Sequence, residues 1–277
     1  MAISGFAPIY FDWSGCEMKK RCVTGVMCLI GLILSIIGVN GYVKTEAGIN
    51  QNDPMFYMIF AGIFLFLVGG VVFIHTFLEK NKKPLTSGEK VKKMTQAALF
   101  AALAYIGFQV FRFDIPVGGD KTAFHLGNTF VVLAALLLGG TWGGLSGAVG
   151  LTIADLTSGY VTSAPKTFFL KLCIGLIVGV VAHRILHLTK EKNPKKVTTI
   201  TFVASACGMA FNVVADPLVG YFYKKVLFGI PQEMAVALAK MSAVTTFVNA
   251  VVAVLLAGVF YLALRPALKK AGLLIEL

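Results

Sequence analysis

Residues 126–155 read LGNTFVVLAALLLGGTWGGLSGAVGLTIAD, and the division of this block decides the fold. It carries no ionisable side chain until Asp155, its last residue. A single helix over the block would be about 45 Å long, well beyond the ~30 Å hydrocarbon core of a bilayer. Gly139 and Gly140 stand near its middle, where glycine permits a tight reversal that other residues resist. The block therefore reads as two short helical segments, Leu126–Gly139 and Trp142–Asp155, joined by Gly140 and Thr141.

Outward from this pair lie six further apolar segments. Cys22–Tyr42, Met55–Leu78 and Met94–Phe113 precede it, and Thr167–His187, Val197–Tyr221 and Ala243–Leu264 follow. Hydrophobic residues make up 57% of the 277 positions and charged residues only 14%, with a mean hydropathy of +0.81. A soluble domain of this length carries about 25% charged residues. So little polar surface cannot cover a globule in water, and lipid is the covering phase. The expected fold is an all-α, polytopic membrane bundle of about eight spans: a six-helix body preceded by an N-terminal two-helix transmembrane hairpin.

The formal charge of +12 invites a nucleic-acid reading, but its placement excludes one. No basic stripe interleaved with aromatics lies on a soluble segment. Lysines and arginines gather instead at the ends of apolar runs. Lys19, Lys20 and Arg21 precede the first, and Lys80, Lys82, Lys83, Lys90, Lys92 and Lys93 follow the second. Arg184, Lys190, Lys192, Lys195 and Lys196 end or follow the sixth, and Arg265, Lys269 and Lys270 follow the eighth. Alternating spans put all of these on one side, the cytoplasmic side by the positive-inside bias. Both termini are expected in the cytoplasm.

The division by composition is an N-terminal extension at 1–21, a transmembrane hairpin at 22–78, a charged cytoplasmic linker at 79–93, a six-helix body at 94–265 and a cytoplasmic tail at 266–277. Residues 1–17 lack the basic n-region and long apolar core of a signal peptide. Gly15–Cys16 resembles a lipoprotein cleavage site without its preceding hydrophobic stretch, and Met18 before Lys-Lys-Arg makes a natural alternative start. The five cysteines, Cys16, Cys22, Cys28, Cys173 and Cys207, form no CxxC pair and read as small hydrophobes. Neither a disulfide framework nor a metal site is expected.

Polar residues concentrate at the outward ends of the body segments. They are Arg112 and Asp114, then Asp120, Lys121, His125 and Asn128, then Asp155, Tyr160, Lys166 and Lys171, and finally Asn212, Asp216 and Asn249. Asn212 and Asp216 share a helix face at i, i+4. Ionisable groups within spans are costly, so they mark a pocket or an internal pair. Lys171 with Asp155 or Asp216 also reads as a structural ion pair, Arg112 and Lys121 as interfacial anchors, and Asp216 before Pro217 as a local helix break. Taken together, amides, hydroxyls, a histidine and both charge signs on one side of the membrane suit a small, polar, water-soluble ligand. Substrate-binding candidates are thus Arg112, His125, Asn128, Asp155, Tyr160, Lys166, Lys171, Asn212, Asp216 and Asn249. Small residues four apart at Ala97 and Ala101, at Ala98 and Ala102, and across Gly143–Ala148 mark faces for close helix approach, to a partner or within the chain.

Enzyme motifs are missing. Gly118-Gly119-Asp120-Lys121-Thr122 lacks the spacing of a phosphate loop, His183 and His187 have no further metal ligand, and neither Gly-x-Ser-x-Gly nor His-Glu-x-x-His occurs. No catalytic residue, cofactor or ATPase site is expected.

Several runs together resemble a known family. They are Phe124–Asn128, Ala134–Gly140, Gly143–Gly150, Ala154–Leu156 with Gly159–Tyr160, and Ala164–Phe168 leading to Lys171 and Gly175–Leu176. In combination they resemble the substrate-binding S components of energy-coupling factor (ECF) vitamin transporters, in the branch labelled riboflavin- or hydroxymethylpyrimidine-type, over Met94–Leu264. The resemblance implies a six-helix subunit without ATPase activity that binds a vitamin near the outer surface. The ligand would lie under the loops Asp114–His125 and Leu156–Lys166. It also implies that the alanine face of Ala97, Ala98, Ala101 and Ala102 meets the membrane T subunit, which couples to two cytoplasmic ATPase subunits. Transport would then involve toppling of the loaded subunit. The N-terminal hairpin departs from that pattern. Two other readings stand beside it: a stand-alone proton-coupled secondary carrier using Asp155, Lys171 or Asp216, which the missing internal repeat disfavours, and a non-transporting membrane scaffold.

Overall fold

The computed structural model describes residues 13–44, 86–117 and 120–274, with scattered helical positions between 54 and 69. Residues 1–12 of the expected extension, 45–53 and most of 55–78 in the expected hairpin, 79–85 of the linker, 118–119 and 275–277 of the tail lie outside the described residues. The chain forms two compact units, Met1–Lys44 with Asp53–Lys83, and Thr45–Asn52 with Pro84–Leu277.

In the first unit, helix α1 (Trp13–Lys44) meets the helical positions around Gly62 through glycine. A Cβ on Gly31 would lie 2.4 Å from the Phe66 nitrogen, and one on Gly62 would lie 2.6 Å from the Ser35 nitrogen. This backbone-level approach is how helices gain packing energy in lipid, where apolar side chains alone give no preference for a neighbour.

The second unit holds α2 (Ser87–Gln109), β1 (Phe113–Val117), β2 (Asp120–Phe124), α3 (Gly127–Leu138), α4 (Gly140–Thr157), α5 (Ala164–Gly179), α6 (Pro194–Phe222) and α7 (Gln232–Lys270). Helix α2 begins seven residues before the apolar pattern, inside the charged linker. Thr86 and Glu89 form a capping box there, each side chain taking the other's backbone N–H. The expected reversal falls at Gly139, whose φ of +85° only glycine adopts readily, so that α3 and α4 are joined by one residue.

Helix α3 is apolar all round and correspondingly buried all round. Val131, Val132, Ala134 and Ala135 have no exposed surface, and α2, α4, α5 and α7 enclose the helix. Helices α4 and α5 touch through their backbones: a Cβ on Gly175 would stand 2.1 Å from the Gly144 Cα, and one on Gly179 would stand 2.1 Å from the Gly140 nitrogen. Pro165 occupies the first turn of α5, where its missing N–H is harmless. Pro217 does not end its helix. α6 continues to Phe222, and π-helical turns extend α5 through Val180–Ile185 and α6 through Tyr223–Leu227.

Among the described residues, four stretches are long and apolar enough to cross a membrane: Cys22–Gly41, Val161–Ile185, Pro194–Val226 and Gln232–Lys270. The chain is thus a mostly helical membrane bundle. It also contains an element that the all-α expectation lacked. Residues expected as the loop Asp114–His125 form a two-stranded antiparallel ribbon pairing Phe113 with Phe124 and Val117 with Asp120.

Gly175→Val should lower the thermal midpoint of the detergent-solubilised protein, at a cost of about 2 kcal/mol or more, because neither backbone can retreat. Gly88→Ala, where a Cβ meets nothing within 4 Å, should leave it unchanged or raise it slightly. Equal midpoints for the two variants would contradict the glycine contact.

Candidate ligand-binding site

The ribbon and the turn that follows α4 cover one end of the bundle. Asn249 on α7 fixes the ribbon's return: its amide donates to the Ala123 carbonyl and its oxygen accepts from the His125 N–H, each at 3.0 Å. Thr122 and Thr245 meet through their hydroxyls at 2.8 Å. His125 accepts the Gly127 N–H through Nδ1 and lies over Phe108, ring centroids 4.8 Å apart.

Asp114 is the knot on the other side. It accepts from Lys121 Nζ at 2.9 Å, from Arg112 Nε at 3.0 Å and from the Tyr160 hydroxyl at 2.8 Å. Lys121 also donates to the Ser158 carbonyl at 3.0 Å and lies over the Tyr160 ring. Burial raises the Asp114 carboxyl, but the hydrogen bonds from Lys121 and Tyr160 and the charge of Arg112 outweigh it and hold the group below the usual carboxylate range. Burial, reinforced by Asp114, pushes the Tyr160 hydroxyl far upward, so it remains a protonated donor.

Beneath this cover is a cavity of about 100 Å³ that opens to solvent. Its walls come from α3, α4, α5, α6 and α7. Asp216 accepts from Lys166 at 2.9 Å, from Thr246 at 3.1 Å and from Ser242, and Asp155 accepts from Thr167. Lys224 pairs with Asp120 across the mouth. Three deeper groups have no such partners. The side-chain oxygens of Asn128 and Asn212 are bonded to nothing although their residues are 2% and 1% exposed. Lys171, 6% exposed, has no ion pair within 4 Å among the described residues. A buried polar group without a partner costs about 1–3 kcal/mol, and a ligand that supplies the missing bond recovers that loss.

Of the candidate residues, His125, Asn128, Asp155, Tyr160, Lys166, Lys171, Asn212, Asp216 and Asn249 line this one cavity, whereas Arg112 lies behind Asp114 and does not. Asp216 pairs with Lys166, not with Lys171. Lys121, read first as a possible anchor, also faces the cavity. The sequence reading omitted Ser242, Thr245, Thr246 and Lys224. The first three fall with Asn249 at helical spacing on one face of α7, a polar stripe in an apolar helix that the sequence displays. Nothing in the sequence signals Lys224. His183 is turned elsewhere, toward Thr189 and the Ala135 carbonyl.

The four alanines divide. Ala97 is buried and the Ala101 carbonyl abuts Gly150, while Ala98 and Ala102 are exposed along the outer face of α2.

Among protein families, the model described as ECF-type riboflavin transporter, S component, matches residues 88–266. Curated proteins and solved structures give no match to the chain. The family match takes in every wall of the cavity and well over half of the sequence. The chain therefore belongs to the ECF-type riboflavin transporter S components, substrate-binding membrane subunits of vitamin uptake that are not themselves enzymes.

Proposed function

We propose that the chain is the high-affinity binding subunit for uptake of a small water-soluble vitamin or precursor, with riboflavin the first candidate, energised by a separate ATPase module. The observation that carries this reading is the pair of unpartnered side-chain oxygens on Asn128 and Asn212, beside the buried Lys171, in a cavity covered by the ribbon. Two amides and an ammonium offer donors and acceptors in several directions. Phe108, His125 and Tyr160 add flat apolar surface nearby. A ring bearing carbonyl and N–H groups meets both requirements.

The remaining parts of the reading follow from the family and the charge pattern. Eight spans, counting the hairpin, put both termini and the lysine-rich loops in the cytoplasm of a bacterial cell and the cavity toward the outside. The domain division at 21, 78, 93 and 265 is proposed by composition, with the linker's end already in α2 and the tail's start still in α7. The exposed Ala98–Ala102 face of α2 is where a T subunit, carrying two cytoplasmic ATPase subunits, would approach closely. Ala97 and Ala101 would act behind it, setting the spacing to α4.

Mass spectrometry of small molecules released from gently purified protein tests the binding role. A flavin or another vitamin in near-stoichiometric amount supports it. Protein that is empty and unresponsive to every vitamin tested opposes it.

Asn128→Leu and Asn212→Leu should each weaken ligand binding at least about tenfold, and Lys171→Met likewise. Because each asparagine substitution removes an unsatisfied buried oxygen, those two ligand-free variants should melt at the same temperature or higher. Unchanged affinity in all three variants would remove these residues from the site. Ala98→Trp with Ala102→Trp should abolish co-purification with the T subunit while leaving ligand affinity intact, and retained assembly would exclude that face.

A further inference from the structure

Around α3 the helices pack in the order α2, α4, α5, α6 and α7, and the first and last do not pack along one another among the described residues. Each of these two reaches across to the other at one end. The ribbon that continues α2 is held on α7 by Asn249 and Thr245. At the lysine-rich end the chain leaving α7 makes the reverse connection. Gly272, at a φ of +63°, turns it back, and the Leu273 and Leu274 N–H groups both donate to the Leu268 carbonyl, at 2.8 and 3.1 Å. Lys92 on α2 then donates to the Gly272 carbonyl, and Gln96 to the Leu273 carbonyl at 3.0 Å. Leu274 packs against the buried core. This connection falls where α2 has least support. A Cβ on Gly127, the first residue of α3, would lie 3.1 Å from the Ala104 carbonyl oxygen, which sets the two helices level there. From Ala104 back to Ser87 α2 runs about 25 Å, whereas the whole of α3 spans about 18 Å. The first turns of α2 therefore project beyond α3.

Building on the reading that the outer face of α2 receives the T subunit, we infer that Gly272–Leu274 form a positioning strap for that assembly. The strap fixes the projecting end of α2, so that the docking face continues from Ala98 and Ala102 onto Val91 and Met94. Gln96 is the residue that holds it. Val91 and Met94 are 64% and 57% exposed and join the two alanines at helical spacing, on a different side of α2 from Lys92 and Gln96. A face held still before contact loses less freedom on binding, so its partner binds more tightly. A projecting end left untied has many orientations, and few of them bring the four residues into one surface. Gln96 is the residue to alter. Its Oε1 is buried without a partner, so leucine removes an unsatisfied oxygen along with the bond to the tail, and the fold is not put at risk. Gly272 probes the strap from its other side. A Cβ there meets nothing within 4 Å, so substitution acts through the backbone alone: valine resists a positive φ, and asparagine adopts it more readily.

The experiment measures two quantities on full-length protein. Nitroxide labels at Lys90→Cys and Lys269→Cys, both exposed positions, report the separation of α2 from α7 once the five native cysteines are replaced by alanine. Co-purification reports the amount of T subunit retained. Wild-type protein and Gly272→Asn should give one narrow distance and full retention. Gln96→Leu and Gly272→Val should each broaden the distance and lower retention about tenfold, with the thermal midpoint of Gln96→Leu unchanged or raised. Unchanged distances, or broadened distances with full retention, overturn the strap and leave the docking face standing. A thermal midpoint that falls in Gln96→Leu together with retention makes the tail a general support of the fold and overturns the strap too. No retention by wild-type protein, or retention that survives Ala98→Trp with Ala102→Trp, overturns the docking reading and this inference with it.

Discussion

Gly144 and Gly175 meet with no side chain between them, and the binding end of the bundle depends on that contact. Two helices that touch backbone to backbone have one register and one crossing point, since any shift drives a side chain into a peptide group. With α4 and α5 locked in this way, the last turn of α4 stands beside the first turn of α5. Asp155 is thereby within reach of Thr167, Lys166 reaches Asp216 on α6, and Lys171 faces the cavity. None of these polar residues chooses its own place. The glycines below them do.

The body is arranged around α3, all of whose residues but Phe130 are buried. Because α3 is enclosed on all sides, its first turn can carry Asn128 into the interior without exposing an amide to hydrocarbon. The surrounding helices add polar groups of their own, Asp155 from α4, Lys166, Thr167 and Lys171 from α5, Asn212 and Asp216 from α6, and the Ser242–Asn249 stripe from α7. Charge is carried there as matched pairs bridging different elements, α5 to α6 through Lys166 and Asp216, and α6 to the ribbon through Lys224 and Asp120. Removing either member of such a pair strands its partner in a poorly solvated setting, so these contacts specify the arrangement even where they add little net stability.

The extent to which this was readable from the residues depended on the range of the signal. The reversal at Gly139 was legible because two adjacent glycines interrupt an apolar block, and the cavity residues were legible because charges and amides stand out within apolar helices. The ribbon was not. FDIPV and DKTAF are too short and too mixed for alternation to register, and their pairing is sustained by Asn249 and Thr245, more than a hundred residues away. The start of α2 was obscured for the opposite reason, a purely local one: lysines suggested a linker, while Thr86 and Glu89 supplied a cap strong enough to begin the helix among them. Lys224 was invisible because its inward direction arises where α6 passes into its π-helical turn, and no residue type announces that turn.

Helix α7 ties distant parts of the body together. Asn249 grips the ribbon, and sixteen residues further along, a distance of about 24 Å, Arg265 donates to the carbonyls of Leu188 and Glu191 in the connection between α5 and α6. A continuous hydrogen-bonded rod pinned at two levels behaves as a lever. A tilt that lifts the ribbon from the cavity must also displace the loop at the opposite end, and a push on that loop must be felt by the ribbon. Opening toward one surface and rearrangement at the other are in this way a single mechanical coordinate, set by the stiffness of one helix.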